Sequence, residues 1–174
     1  MITDSLFHQM ILDLAQGKGI SSLVRRLTQI LNRPVLVTNS VHRIMAFHDP
    51  LDLDFKLDEF FYVPPVKIKE IDLLNCSGEA LQRYEFTSEN TTIPFIYLPL
   101  LSEGYCLGYC IVLDTYRLTN SLKLSSSIEE DKGHILDAAI PLILSLRRSK
   151  EEESRQEEYR DGFVQDVLYN NFDS

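Results

Sequence analysis

Residues 127–160 read SIEEDKGHILDAAIPLILSLRRSKEEESRQEEYR, and the way their apolar pattern starts and stops decides the fold. Ser127 followed three residues later by Glu130 has the form of a capping box, the signature of a helix N-terminus. Ile128, Ile135, Ala139, Leu142 and Leu146 then recur at helical spacing, with Leu136, Ile140 and Ile143 beside them, so the helix has a wide apolar face. After Leu146 that face ends: from Arg147 to Arg160 the one apolar residue is Tyr159. A second stripe follows at Phe163, Val164, Val167 and Leu168. A helix that leaves a core, crosses water and resumes packing reads as a connector. Pro141, inside the apolar half, cannot donate to the carbonyl of Asp137, and a bend or a restart is expected there.

Composition bounds the rest. The chain has 174 residues, 44% of them hydrophobic, enough for one packed domain with an appendage. A net charge of −9 argues against a nucleic-acid-binding surface within these residues. No apolar run approaches the roughly 18 residues of a membrane span. The opening MITDSLFHQM carries an acid where a signal peptide carries positive charge, so a cytoplasmic protein with no membrane partner is expected. Three cysteines form no disulfide framework. Cys106 and Cys110 share a strand face but lie too far apart along it to bridge, which fits a reducing compartment.

Upstream, Leu6, Phe7, Met10, Ile11, Leu14 and Ala15 predict an amphipathic helix over residues 3–16, stopped by Gly17 and Gly19. Leu23, Val24, Leu27, Ile30 and Leu31 predict a second over residues 21–32. Pro34 then changes the period, and residues 35–38 and 43–48 read as two strands of a hairpin with its turn at residues 39–42. Residues 49–90 are the least regular: an acidic loop, the aromatic run Phe60-Phe61-Tyr62, the Pro64-Pro65 break, a short helix over 66–74 and a strand over 80–86. Residues 93–101 and 105–114 are the strongest strands, joined by Ser102-Glu103-Gly104. Pro94 and Pro99 lack ladder donors, so an edge or a bulge is expected at each. The order helix, helix, hairpin, insert, hairpin, long helix predicts an α+β fold, a mostly antiparallel sheet with helices from both ends of the chain packed over it.

The opening helices with the hairpin PVLVTNSVHRIMAF, and later IPFIYLPLLSEGYCLGYCIVLDT followed by a long helix, resemble a GAF-type sensor domain. The final EEYRDGFVQDVLYNNFDS resembles the segment leading out of the sensor in bacterial PucR/CdaR-type transcriptional regulators. The resemblance implies a ligand-sensing domain over residues 1–146 and a signalling helix over 147–174. It also implies a helix-turn-helix domain, absent from this chain, as the route to DNA.

Chemistry-bearing motifs are sparse. Gly17-Lys18-Gly19 lies between helices, where it reads as a helix stop and not as a phosphate loop. His8, His42, His48 and His134 lack metal-ligand spacing, and the acidic loop at Asp49, Asp52 and Asp54 lacks the glycine and glutamate of an EF-hand. Cys106 and Cys110, in an apolar strand without a basic neighbour, read as inert thiols. The mixed-sign run 147–160 reads as a solvated helix face. No catalytic residue, metal or cofactor is therefore expected, and the chain does not read as an enzyme.

Two sets of residues stand out. Phe61, Tyr62, Arg83, Phe95 and Tyr97 surround the irregular insert; they are core aromatics with a snorkelling arginine, or the walls and anchor of a ligand site. The resemblance places such an insert over the open face of the sheet, where Arg83 would bind a carboxylate or phosphate of an unknown small metabolite. The second set is Phe7, Ile11, Ile135, Ala139, Leu142 and Leu146, expected to form a homodimer interface of terminal helices because one neighbour cannot cover so apolar a helix. The functional expectation is ligand-responsive control of transcription; the alternative is a purely structural dimerisation module with no ligand.

Overall fold

In the computed structural model the chain's two apolar periods, 3.6 at its ends and 2 between them, become, among the described residues, three helices and a five-stranded antiparallel sheet, an α+β fold. The structure describes residues 5–52, 57–63, 82–88, 91–115 and 128–172. The expected helix over 66–74 and the capping Ser127 lie outside the described residues. In chain order the elements are α1 (Leu6–Ala15), α2 (Ile20–Leu31), β1 (Val35–Asn39), β2 (Ile44–His48), β3 (Gln82–Ser88), β4 (Thr91–Ser102), β5 (Tyr105–Leu113) and α3 (Ile128–Phe172).

Helix ends are set by local chemistry. The Ser5 hydroxyl accepts from the amide of His8 at 3.2 Å and starts α1. Gly17, at φ +80°, lets the chain reverse while its amide and that of Lys18 donate to the carbonyls of Leu14 and Asp13. Between α1 and α2 the Arg26 guanidinium grips the buried Asp13 carboxylate with two bonds of 2.7 and 2.9 Å, and Lys18 adds a contact at 3.3 Å.

The strands lie in the order β2-β1-β5-β4-β3. Cross-strand partners share a face, so the register sorts the side chains. Val35, Val37, Ile96, Leu98, Leu100, Cys110 and Val112 face the helices and join Met10, Leu23, Leu27, Ile135 and Leu142 in the larger core. Leu36, Ile93, Phe95, Tyr97, Ile111 and Leu113 line the other face, where Phe61 and Val63 from the insert pack on them. At the β1–β5 seam a Cβ on Gly108 would land on the carbonyl oxygen of Thr38, so this position requires glycine for close backbone approach.

Both prolines of β4 stand where one of its ladders runs out. β4 is an interior strand, paired with β5 and β3. The carbonyl of Pro94 accepts from the amide of Asp114, just past the last ladder pair Phe95–Leu113, so its missing donor falls at the end of that ladder. Pro99 lies two residues beyond Tyr97, the last partner of β3, next to a register shift at Leu100 and Leu101. The turn between β4 and β5 takes positive φ at both Glu103 and Gly104, a geometry that matches strand twist.

The expectation of a restart at Pro141 is corrected: α3 runs from Ile128 to Phe172 without interruption, with Pro141 inside it. Proline removes one backbone bond there, while Ala138, Ala139, Leu142 and Ser145 around it are buried and keep the helical path. α3 packs on α1, α2, β4 and β5, and two polar contacts pin it. Arg33, buried after α2, donates to Asp131 in the first turn of α3 at 2.7 Å and to Asp114 at the end of β5 at 2.8 Å. Arg148 donates to the carbonyl of Leu14 at 3.1 Å, closing the C-terminal end of α1.

Two outcomes test this packing. Gly108→Ala should lower stability by about 2–4 kcal/mol, read as a drop in the urea midpoint, because Thr38 cannot withdraw without breaking the β1–β5 ladder. The Arg26 hydrogen bond holds the Asp13 carboxyl below the ordinary carboxylate value, outweighing the opposite push of desolvation, and Lys18 adds to it. A depressed folded-state value means the stabilisation is present above the unfolded value, about 4, and is lost as pH falls through the folded one. Urea titrations from about pH 7 down to about pH 3 should therefore show wild type exceeding Asp13→Asn near neutrality by about 1–3 kcal/mol, with the gap closing in acid.

Candidate functional site

The sheet face turned away from the helices gathers the aromatic residues. Phe61 meets Phe95 edge-on at 5.2 Å between ring centroids, Phe95 lies 6.3 Å from Tyr97, and Tyr97 meets Tyr109 edge-on at 6.0 Å. Phe61, Phe95 and Tyr97 are buried. Alternation puts them there: Phe95 and Tyr97 are two apart on β4, and Tyr97 pairs with Ile111 of the same face.

The row continues past Tyr109 to His42, whose ring stacks on Tyr109 at 5.1 Å with the planes 6° apart, and on to Tyr62 at 5.4 Å. His42 reaches this place because the β1–β2 turn forces it to φ +66°. The turn is held by Asn39, whose side chain accepts from the amides of Val41 and Arg43 while its carbonyl accepts from His42. The insert is tied to the same corner, with Phe61 N–H donating to the His42 carbonyl and Ile44 N–H to the Glu59 carbonyl.

Two polar atoms interrupt this apolar face. The hydroxyl of fully buried Thr38, paired with Tyr109 across the β1–β5 seam, finds no hydrogen-bond partner among the described residues, and neither does His42 Nδ1. Each could donate to or accept from a ligand atom, and the Tyr109 ring lies beside both. Burial, aided by the Cys106 thiol, pushes the Tyr109 phenol up to about 12, so it stays protonated near neutrality. Cys110, on the helix side, is pushed up to about 12 by complete burial, which makes it a poor nucleophile.

The ligand-site expectation divides accordingly. Phe61, Phe95 and Tyr97 do come together. Tyr62 stands at the rim, 71% exposed, linked to them through His42 and Tyr109. Arg83 lies on β3 with its backbone in register with Ile96, while Tyr84 is in register with Phe95; the side chain of Arg83 lies outside what the structure describes. Cys76 lies outside the described residues too. Thr38, His42 and Tyr109 were not singled out from sequence; the parity of Thr38 with Leu36, and of Tyr109 with Ile111, is the signal that places them.

The interface expectation is corrected as well. Ile135, Ala139, Leu142 and Leu146 are buried against the helices and sheet of their own chain, so they cannot face a second copy. Ile11 packs partly into the same core. Phe7 is 40% exposed, and beside its own domain α3 exposes Ile140 and Leu144, while further along it exposes Tyr159, Phe163, Val164, Val167 and Leu168.

Among the described residues no group of histidine, cysteine, aspartate or glutamate could hold a metal ion, and no helix is long and apolar enough to cross a membrane. Compared with protein-family models and with curated protein sequences, the chain matches none.

The unpartnered Thr38 hydroxyl gives a signed prediction. In the empty protein Thr38→Val should leave stability unchanged or raise it by up to about 1 kcal/mol, because a buried hydroxyl without a partner costs desolvation and gains no bond. A chemical-denaturation midpoint well below wild type would show that the hydroxyl has a partner in the folded chain.

Proposed function

We propose that this chain is the sensing domain of a GAF-like, PucR/CdaR-type transcriptional regulator. In this reading a small metabolite binds on the aromatic face of the sheet, and α3 carries the response to a DNA-binding helix-turn-helix domain. The observation that carries the reading is the double character of α3. Over Asp131–Leu146 one side of it is core; from Glu151 to Gln165 every residue is exposed, yet the helix does not break. Such an element transmits a change in angle or register from the domain it is packed on to whatever it reaches.

The aromatic face suits a planar, largely apolar ligand with a polar edge. Rings supply the walls, and Thr38 Oγ1 and His42 Nδ1 supply two hydrogen-bonding points. Binding there would act on β5 through Tyr109. β5 leads to Asp114, and Asp114 shares Arg33 with Asp131 of α3. The ligand must favour one arrangement of this chain of contacts over another, since equal affinity for both would shift nothing. A second reading, a purely structural dimerisation module, draws on the close packing of Phe61 against Phe95, which fills that part of the face with the protein's own side chains.

A thermal-shift screen of small metabolites separates the two. A specific ligand at a hundredfold excess over its Kd should add about 2.7 kcal/mol of stability. Thr38→Val and His42→Ala should each reduce that shift without lowering the melting temperature of the empty protein by a comparable amount. If no metabolite stabilises the protein, the structural reading replaces the sensing one.

A further inference from the structure

We infer that α3 pairs with α3 of a second copy in antiparallel orientation about residue 152, through the face it leaves to solvent beside its own domain. That face is marked by Ile140, 55% exposed, with Leu136 and Ile143 half-buried at its edge. Continued at alternating steps of four and three, the spacing of a two-helix seam, it runs 136, 140, 143, 147, 150, 154, 157, 161, 164 and 168. Its apolar members are therefore Leu136, Ile140 and Ile143 at one end and Val164 and Leu168 at the other, both of the latter exposed. Between them stand Arg147, Lys150, Ser154, Glu157 and Asp161.

The order of charges chooses the orientation. A parallel pair would set Arg147 against Arg147, Lys150 against Lys150, Glu157 against Glu157 and Asp161 against Asp161, four like-charge layers with the Ser154 layer between them. Turned about residue 152, each position meets the one that sums with it to twice that number. Leu136 then meets the partner's Leu168, Ile140 meets the partner's Val164, and Arg147 meets the partner's Glu157. Lys150 meets the partner's Ser154, and Ile143 is the one apolar residue left opposite a charge, the partner's Asp161. The two apolar stripes, each too short to hold a helix pair alone, cover one another twice across the two-fold axis, with an opposite-charge layer between.

The middle of the seam is concave and can receive side chains of the second helix. A groove of about 450 Å³ lies along the middle of this seam, lined by Arg147, Lys150 and Ser154 from α3 and by Glu103 and Tyr105 from the β4–β5 turn. The proposal does not depend on the sensing role, since it uses no residue of the aromatic face.

Charge exchange at residues 147 and 157 tests it, because both side chains are exposed in the single chain and neither substitution disturbs the core. Sedimentation at tens of micromolar should show a wild-type dimer. Arg147→Glu should weaken it at least tenfold by placing acids opposite one another in two symmetric layers, and adding Glu157→Arg should restore it. A monomeric wild type would overturn the proposal, and so would a dimer indifferent to Arg147→Glu or one that the second substitution fails to rescue. In a parallel pair the two positions never meet, so the rescue is specific to the antiparallel register.

Discussion

Arg33 ties the end of the sheet to the start of α3. It follows α2, it is buried, and its guanidinium is shared by Asp114 at the end of β5 and Asp131 in the first turn of α3. A guanidinium suits this position because its fixed fork can serve two carboxylates in different directions. Taking charges out of water is costly, so the cluster is weak as a source of net stability and strong as a constraint on geometry: removing Arg33 takes away the cation that Asp131 and Asp114 share. The consequence is that α3 cannot slide along the sheet without breaking a charged contact at its start, nor at its Arg148 end without uncapping α1.

From that constraint follows the unequal treatment of the two sheet faces. The helix side is a continuous aliphatic core, Val and Leu from the strands against Leu, Ala and Met from three helices. The other side is a row of rings on which Phe61 and Val63 pack, and among the described residues it holds the two buried polar atoms without partners. The strands connect the two sides directly, since neighbouring residues of β5 belong to opposite faces: Ile111 and Leu113 to the rings, Cys110 and Val112 to the helices. A displacement on the ring side is thereby a displacement of the residues on which α3 rests. This mechanical link is what the proposed regulatory role would use.

Much of this was legible in the sequence. Both N-terminal helices, all five strands of the sheet and the start of α3 follow from local pattern, with β3 read from the weakest signal. Gly17 as a stop and Gly104 in the hairpin turn follow from the positive-φ geometry that glycine adopts easily. The remaining errors share a physical source: local pattern does not say what lies opposite. Ile135, Ala139, Leu142 and Leu146 look like an interface until α1, α2 and the sheet are seen to cover them. Of the bend or restart that Pro141 suggests, the restart does not occur, since the helix continues with buried residues on both sides of it. The pairing of Arg33 with residues 81 and 98 positions away could not have been read from spacing at all.

The central claim is that Arg33 fastens the start of α3 to the end of the sheet, and amide hydrogen exchange of wild type against Arg33→Gln tests it most directly. If the claim holds, amides between residues 131 and 142 will exchange about tenfold faster or more in the variant, together with those at the end of β5, while the β1–β2 hairpin keeps its protection. Unchanged protection over residues 131–142 would contradict it, and α3 would then be held by its apolar face alone.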